Sequence, residues 1–193
     1  MMFLQGVRRL LESFFYTSVK SASQMWIGHY ILGLLFYLTI NIAIWIETIP
    51  LHWMGTPFSH WINISLPSYP YTEVGSGWLI YILPPAILTA QALQHTYHAH
   101  LYHLRTHFKT YQLPYHPFFP NLICPHYTCE VVIYLLLSIL GAPGRFVNHT
   151  LLSGAVFVAV NLGVTASGTK EWYVKRFGKE KVGRRWRMVP GVW

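Results

Sequence analysis

Long apolar runs separated by short polar segments organise this chain. Trp26 to Ile46 supplies 21 residues without a charge. A hydrocarbon core of about 30 Å needs around 20 residues of helix, so this run predicts a membrane span. Gly77 to Leu93 predicts a second, interrupted by Pro84 and Pro85; these should kink it while neighbouring helices satisfy the freed carbonyls. Tyr127 to Leu140 and Phe146 to Ala166 are two further runs. They are joined by Gly141-Ala142-Pro143-Gly144-Arg145, whose glycines and proline favour a tight reversal. Tyr127 to Leu140 is short for a crossing, so it is expected to tilt, to start among the headgroups or to be shielded by other helices. The stretch before Lys20 reads as the stub of another helix. The expected fold is all-α, a multi-pass transmembrane helical bundle of about four to five spans.

Positive charge separates cleanly along this pattern. The loop from Glu47 to Gly75 has no Lys or Arg, the N-terminal stretch has three, the segment Gln94 to His126 has two with seven His, and the tail has eight. Lys and Arg resist translocation, so about four crossings would put the three basic pieces together on the cytosolic side. The uncharged loop and the hairpin tip at Arg145 then face the lumen. The expected organisation is one membrane domain over 1–193, with a cytosolic His-rich loop at 94–128 and a cytosolic basic tail at 167–193.

Composition agrees. The 193 residues are 53% hydrophobic and 10% charged, against roughly 25% charged in a soluble domain. The net charge of +8 does not argue for nucleic acid, because eight of the fourteen basic residues lie between Lys170 and Arg187 and no binding motif accompanies them. That cluster suits an anionic membrane face or a phosphate-bearing ligand. Cys124 and Cys129 have no second pair with which to build a metal site or a disulfide framework, and read as free thiols. Met1 to Glu12 carries Arg8 and Arg9 and does not read as a signal peptide, so the first span is expected to act as the address. Asn63-Ile64-Ser65 and Asn148-His149-Thr150 match the glycosylation sequon, and of the two Asn63 has a lumenal loop around it.

Candidate chemistry concentrates in three places. His95, His98, His100, His103 and His107 recur at helical spacing. Neutral imidazoles so placed can converge on a metal, as in membrane di-iron oxygenases, although those need several such boxes. The alternative is a membrane-surface helix whose imidazoles face headgroups or cytosol, with one inward His beside Arg105 available to an anionic cofactor. Glu130 opens an apolar helix with His126 one turn before it; a carboxylate there caps, pairs or binds a ligand. Finally, the tail mixes Trp172, Tyr173 and Phe177 with Lys175, Arg176, Arg184, Arg185 and Arg187, a composition suited to an interface or to phosphates.

Four ordered motifs then bring a family into view. They are Gln5-x-x-Arg8-Arg9-Leu10-x-Glu12, Asn121-x-x-Cys124-Pro125-His126-Tyr127-x-x-Glu130, Trp172-Tyr173-x-x-x-Phe177 and Arg185-x-x-x-x-Pro190-x-x-Trp193. Together they resemble successive signatures of the steroid 5α-reductase family, and the Cys-Pro-His-Tyr run is similar to its polyprenol reductase branch. The resemblance implies that NADPH is held by Gln94, His98, Arg105, His126, Glu130, Thr169, Tyr173 and Arg185, with no metal, and that the catalytic step involves the region of Gln5 and Glu12. It also implies that the chain is truncated at the N-terminus relative to the family. Two departures stand out: Lys170 where the branch has His, and Gly183 at a position usually basic.

Hydride adds to a carbon–carbon double bond when a conjugated carbonyl delocalises the developing charge, so the substrate implied is polyprenal, with a hydrogen-bond donor stabilising the enolate oxygen. The implied role is an endoplasmic-reticulum membrane enzyme of dolichol formation supporting protein N-glycosylation. Its partners would be a long-chain isoprenoid and the bilayer, with the oligomeric state left open. The alternatives are an inactive remnant of such an enzyme, a steroid or enoyl reductase, a metal-dependent lipid oxygenase, and a methyltransferase using S-adenosylmethionine.

Overall fold

A computed structural model describes residues 2–16, 27–48, 78–108, 110–142 and 146–192. Asn63, most of the uncharged loop and the turn at 143–145 lie outside the described residues. Six helices follow in order: α1 (Met2–Tyr16), α2 (Ile27–Thr48), α3 (Leu79–His107), α4 (Pro125–Leu140), α5 (His149–Phe177) and α6 (Lys179–Val182). Among the described residues there is no strand, only an isolated parallel bridge between Leu122 and Trp186.

Local chemistry sets the helix ends. Pro125 occupies the first turn of α4, where its fixed φ suits a helix and no backbone donor is lost. The other end closes at Gly141, whose N–H donates to Leu137 O at 2.8 Å. Asn148 caps α5 by accepting the Leu151 N–H at 2.9 Å, and its own amide donates to Gly141 O at 2.9 Å. The second sequon is thus built into the α4–α5 corner. At the far end Gly178 takes φ 89°, a left-handed conformation that glycine adopts without strain.

Two boundaries differ from the sequence expectation. The second apolar run does not end as a helix at Leu93; α3 continues to His107, so Pro84 and Pro85 sit inside a 29-residue helix. Residues 94–107 contain no Gly or Pro and no stop signal before Phe108, so the register propagates out of the apolar zone. Likewise α5 outlasts its apolar run by eleven residues and ends at Phe177. Its 29 residues make a rod of roughly 43 Å, longer than a bilayer core.

The helices pack as a row, α1 on α3, α3 on α4, α4 on α5 and α5 on α2. Ile87 and Ala90 of α3 meet Ile133 and Leu137 of α4. On the next seam Tyr134 of α4 packs with Ala155 and Val158 of α5 and with Phe36 of α2. Gly154 allows this approach, since a Cβ there would lie 2.8 Å from Ile40 Cδ1. A third cluster joins Ile123 and Cys124 to Ala166, Val182 and Met188, anchoring the tail.

Large apolar side chains cover the outside, among them Leu34 and Leu38 on α2, Ile80 on α3 and Val160 and Val164 on α5. So much exposed apolar surface fits lipid rather than water. Among the described residues, α5 is long and apolar enough to cross a membrane, and Ile31–Ala43 and Pro125–Leu140 are shorter apolar stretches.

Candidate functional site

Two polar stripes face each other where α1 meets α3. On α1, Gln5, Arg8, Glu12 and Tyr16 repeat every three or four residues and so share one face, and on α3 the same spacing aligns Gln91, Gln94, His95, His98, Tyr102 and Arg105. Gln5, Glu12, Gln91 and Gln94 are buried. Glu130, in the first turns of α4, is buried against them.

At the centre, two glutamine amides lie between a cation and an anion. Arg8 Nη2 donates to Gln5 Oε1 at 3.0 Å and also to Gln94 Oε1. On the opposite side Gln5 Nε2 donates to the Glu130 carboxylate at 3.3 Å and to Gln94 Oε1 at 3.3 Å. Gln94 Nε2 donates to Glu130 Oε2, and to His126 O at 3.2 Å. A guanidinium only donates and a carboxylate only accepts, so both amides have their oxygens toward Arg8 and their nitrogens toward Glu130.

Glu12 anchors a second group. Its Oε1 accepts from Arg8 Nη1 and from His95 Nδ1 at 2.9 Å, and its Oε2 accepts from Arg9 Nη1 at 3.0 Å and from His98 Nδ1 at 2.8 Å. Burial alone would push this carboxyl up. The hydrogen bonds from His98 and His95, with the positive charge of His98 and Arg8, outweigh burial and hold it well below the usual carboxylate range. Glu12 is therefore an anion, held between α1 and α3.

A cleft opens on each side of this pair. The polar one, about 280 Å³, is lined by Arg9, Glu12, Ser13, Tyr16, His98, Leu101, Tyr102 and Arg105. The apolar one, about 660 Å³, is lined by Leu4, Val7, Arg8, Leu11, Glu12, Phe15, Tyr16, His95 and Tyr102. Glu12, Tyr16 and Tyr102 belong to both walls.

Gln5, Glu12, Gln94, His98, Arg105, His126 and Glu130 are thus brought to one locus. Thr169, Tyr173 and Arg185 form a different one. Tyr173 packs against the Ile123, Cys124, Val182 and Met188 cluster, and burial pushes its hydroxyl up to about 12. Cys124 is likewise pushed up to about 12 by burial, with a hydrogen-bond contact to Thr169 offsetting part of the effect; it and Cys129 are both free thiols. Arg185 Nη1 donates to Pro114 O at 2.6 Å.

The tail reaches this second locus as a strap. Ile123 N donates to Trp186 O at 2.9 Å, Cys124 N to Arg187 O at 3.0 Å, Trp186 N to Asn121 O at 2.9 Å, and Thr128 Oγ1 to Met188 O. Lys170, where the resemblance expects His, donates to Gly183 O at 3.1 Å and to Arg185 O. Gly183 has a steric reason: a Cβ would meet Lys179 O at 2.6 Å.

Tyr97 joins the two loci. Its ring stacks on His126 with centroids 5.3 Å apart, and its hydroxyl donates to Ile123 O at 3.2 Å. The remaining histidines do not close on a common point. Among the described residues no three His, Cys, Asp or Glu side chains are placed to hold a metal ion.

Residues 39–193 match the family model described as 3-oxo-5-alpha-steroid 4-dehydrogenase. The chain belongs to the steroid 5α-reductase family. It is 30% identical over 192 residues to polyprenal reductase 1 of Arabidopsis thaliana, covering 92% of this chain and 58% of that protein. It is 27% identical over 190 residues to the polyprenal reductase of Caenorhabditis elegans, covering 98% of this chain and 58% of that one. Polyprenal reductase 1 of Oryza sativa subsp. indica is 26% identical over 206 residues, covering 100% of this chain and 57% of its own. The chain therefore spans less than three-fifths of the length of these relatives. No solved structure matches it. Family and apolar helices together make this a membrane protein.

Arg8, Arg9, Gln91 and His95 were absent from the site residues expected from sequence. Arg8 and Arg9, one turn before Glu12 on α1, both pair with it. The signal for His95 was its place on the stripe running from Gln91 to His98, which spacing alone does not connect to α1.

Proposed function

We propose that this steroid 5α-reductase family member reduces the α-double bond of polyprenal with NADPH, at the cytosolic face of an endoplasmic-reticulum membrane that the chain crosses several times. The observation that carries this reading is the buried Gln5–Gln94–Glu130 set beside a cleft bearing Arg9 and Arg105. The printed names of the relatives, polyprenal reductases, supply the substrate class.

The residues fit the cofactor. A nicotinamide carboxamide offers a donor pair and an acceptor, which Glu130 and the two glutamines complement, and Gln91 Nε2 is a buried donor with no partner among the described residues. Arg9, Arg105 and His98 suit phosphate oxygens in the polar cleft, with Arg185 and Tyr173 serving the far end of the dinucleotide. When bound, NADPH supplies the hydride. Arg8 and Glu130 hold the amides in one orientation, and the apolar cleft keeps water from the lipid. Dolichol formation, and through it N-glycosylation, is the pathway this chemistry would serve.

Microsomes containing the chain, supplied with NADPH and polyprenal, test the reading. Saturated aldehyde is expected. Loss of NADPH affinity in Glu130→Gln would support the cofactor site. NADPH binding without product, alongside an active full-length relative, would leave a binding piece whose activity needs residues outside it. Absence of both would overturn the proposal.

A further inference from the structure

Reducing the double bond needs a proton as well as a hydride, and the two residues expected to act in that step are fully engaged inside the protein. The Gln5 oxygen accepts from Arg8 and its nitrogen donates to Gln94 and Glu130. Both Glu12 oxygens accept two donors each. A proton source must lie beside them.

His95 has the geometry. Its Nδ1 is fixed by Glu12 Oε1 at 2.9 Å, its ring stacks on Tyr16 with centroids 5.9 Å apart, and its side chain is 50% exposed, toward the apolar cleft that it lines. Nδ1–H bonded to a carboxylate puts the exchangeable Nε2 on the opposite side of the ring. His98 shares the carboxylate but is 12% exposed, lines the polar cleft and has Arg9 Nη1 within 3.4 Å of its Nε2. Of the two, His95 faces the apolar side. The charged and titratable groups around it are Glu12, Arg8 and Tyr16 on α1 and His98 and Tyr102 on its own helix.

We propose that His95 is the general acid for an α,β-unsaturated isoprenoid aldehyde seated in the apolar cleft, an inference that rests on the reductase reading above. The β-carbon takes the hydride pair from the reduced dinucleotide, which leaves oxidised. The π electrons of the double bond, held meanwhile as the enolate, form the new bond between the α-carbon and the proton from His95 Nε2. Water then returns a proton to the neutral imidazole.

Two measurements on the full chain in nanodiscs decide it. In turnover, His95→Gln is expected to lose about 100-fold in kcat while KM for NADPH stays unchanged, with added imidazole partly restoring His95→Ala. The fall in rate that the wild-type protein shows as pH rises through the imidazole titration should vanish in His95→Gln. Without NADPH, a long-chain polyprenol should protect His95 from carbethoxylation by diethylpyrocarbonate, read by mass spectrometry, while His107 on the same helix reacts as before. If the wild-type protein makes saturated product but His95→Gln stays within roughly threefold of it, the inference is overturned and the reductase reading stands. Unchanged carbethoxylation of His95 in the presence of polyprenol overturns it as well. If wild type makes no product the inference falls, and the reductase reading falls with it where NADPH does not bind either.

Discussion

Arg8 and Glu130 face each other across the side chains of Gln5 and Gln94, so cation and anion are joined by two amides rather than by direct contact. Each amide has one allowed orientation as a result. Removing the cation takes a donor from the buried Glu12 carboxylate and from the amide oxygens of Gln5 and Gln94. Arg8→Met should therefore cost about 3 kcal/mol in thermal or denaturant unfolding in detergent. Arg9→Met, at a side chain 42% exposed, should cost less than about 1 kcal/mol although it contacts the same Glu12. Equal losses in the two variants would contradict the central place given to Arg8.

Acid should loosen α1 from α3. Glu12 is held below its ordinary value of 4.5 in the folded protein, so its contribution is complete above that pH and is lost as pH falls from there toward the folded value. Melting temperature followed from about pH 7 to about pH 3 should drop more steeply for wild type than for Glu12→Gln. Parallel curves would show that the carboxylate carries no such linkage.

The tail departure at Gly183 leads to a counter-intuitive expectation. Restoring a basic residue with Gly183→Arg should weaken NADPH binding, because the added Cβ collides with Lys179 O and lifts the turn that Lys170 holds. Trypsin should then cut faster among Lys179 to Arg187. Tighter binding with unchanged proteolysis would mean that the turn tolerates the side chain.

Much of the fold was legible because apolar runs set helices through local chemistry, whereas the Pro125 start of α4 and the Asn148 cap of α5 came only with the structure. The helical continuation from Leu93 to His107 was harder, since the loss of hydropathy at Gln94 marks a change of solvent rather than a change of backbone. Glu130 stood out as a carboxylate in an apolar run. Gln5, Gln94 and Glu12 came from the resemblance, and their meeting place could not be read from spacing, because a polar stripe shows which face a helix buries and not which helix it buries it against. His95 lost its identity among seven histidines for the same reason.

Tyr97 has a consequence for how substitutions combine. Its ring lies on His126 and its hydroxyl on the carbonyl of Ile123, the residue that also donates to the Trp186 carbonyl. In a double-mutant cycle, His126→Ala and Arg185→Ala should give a coupling free energy of about 1 kcal/mol in NADPH affinity, falling to near zero when both are made in a Tyr97→Leu background. Additivity in the wild-type background would show that the halves act independently. Through one phenol, lesions made in separate loci would become a single thermodynamic event.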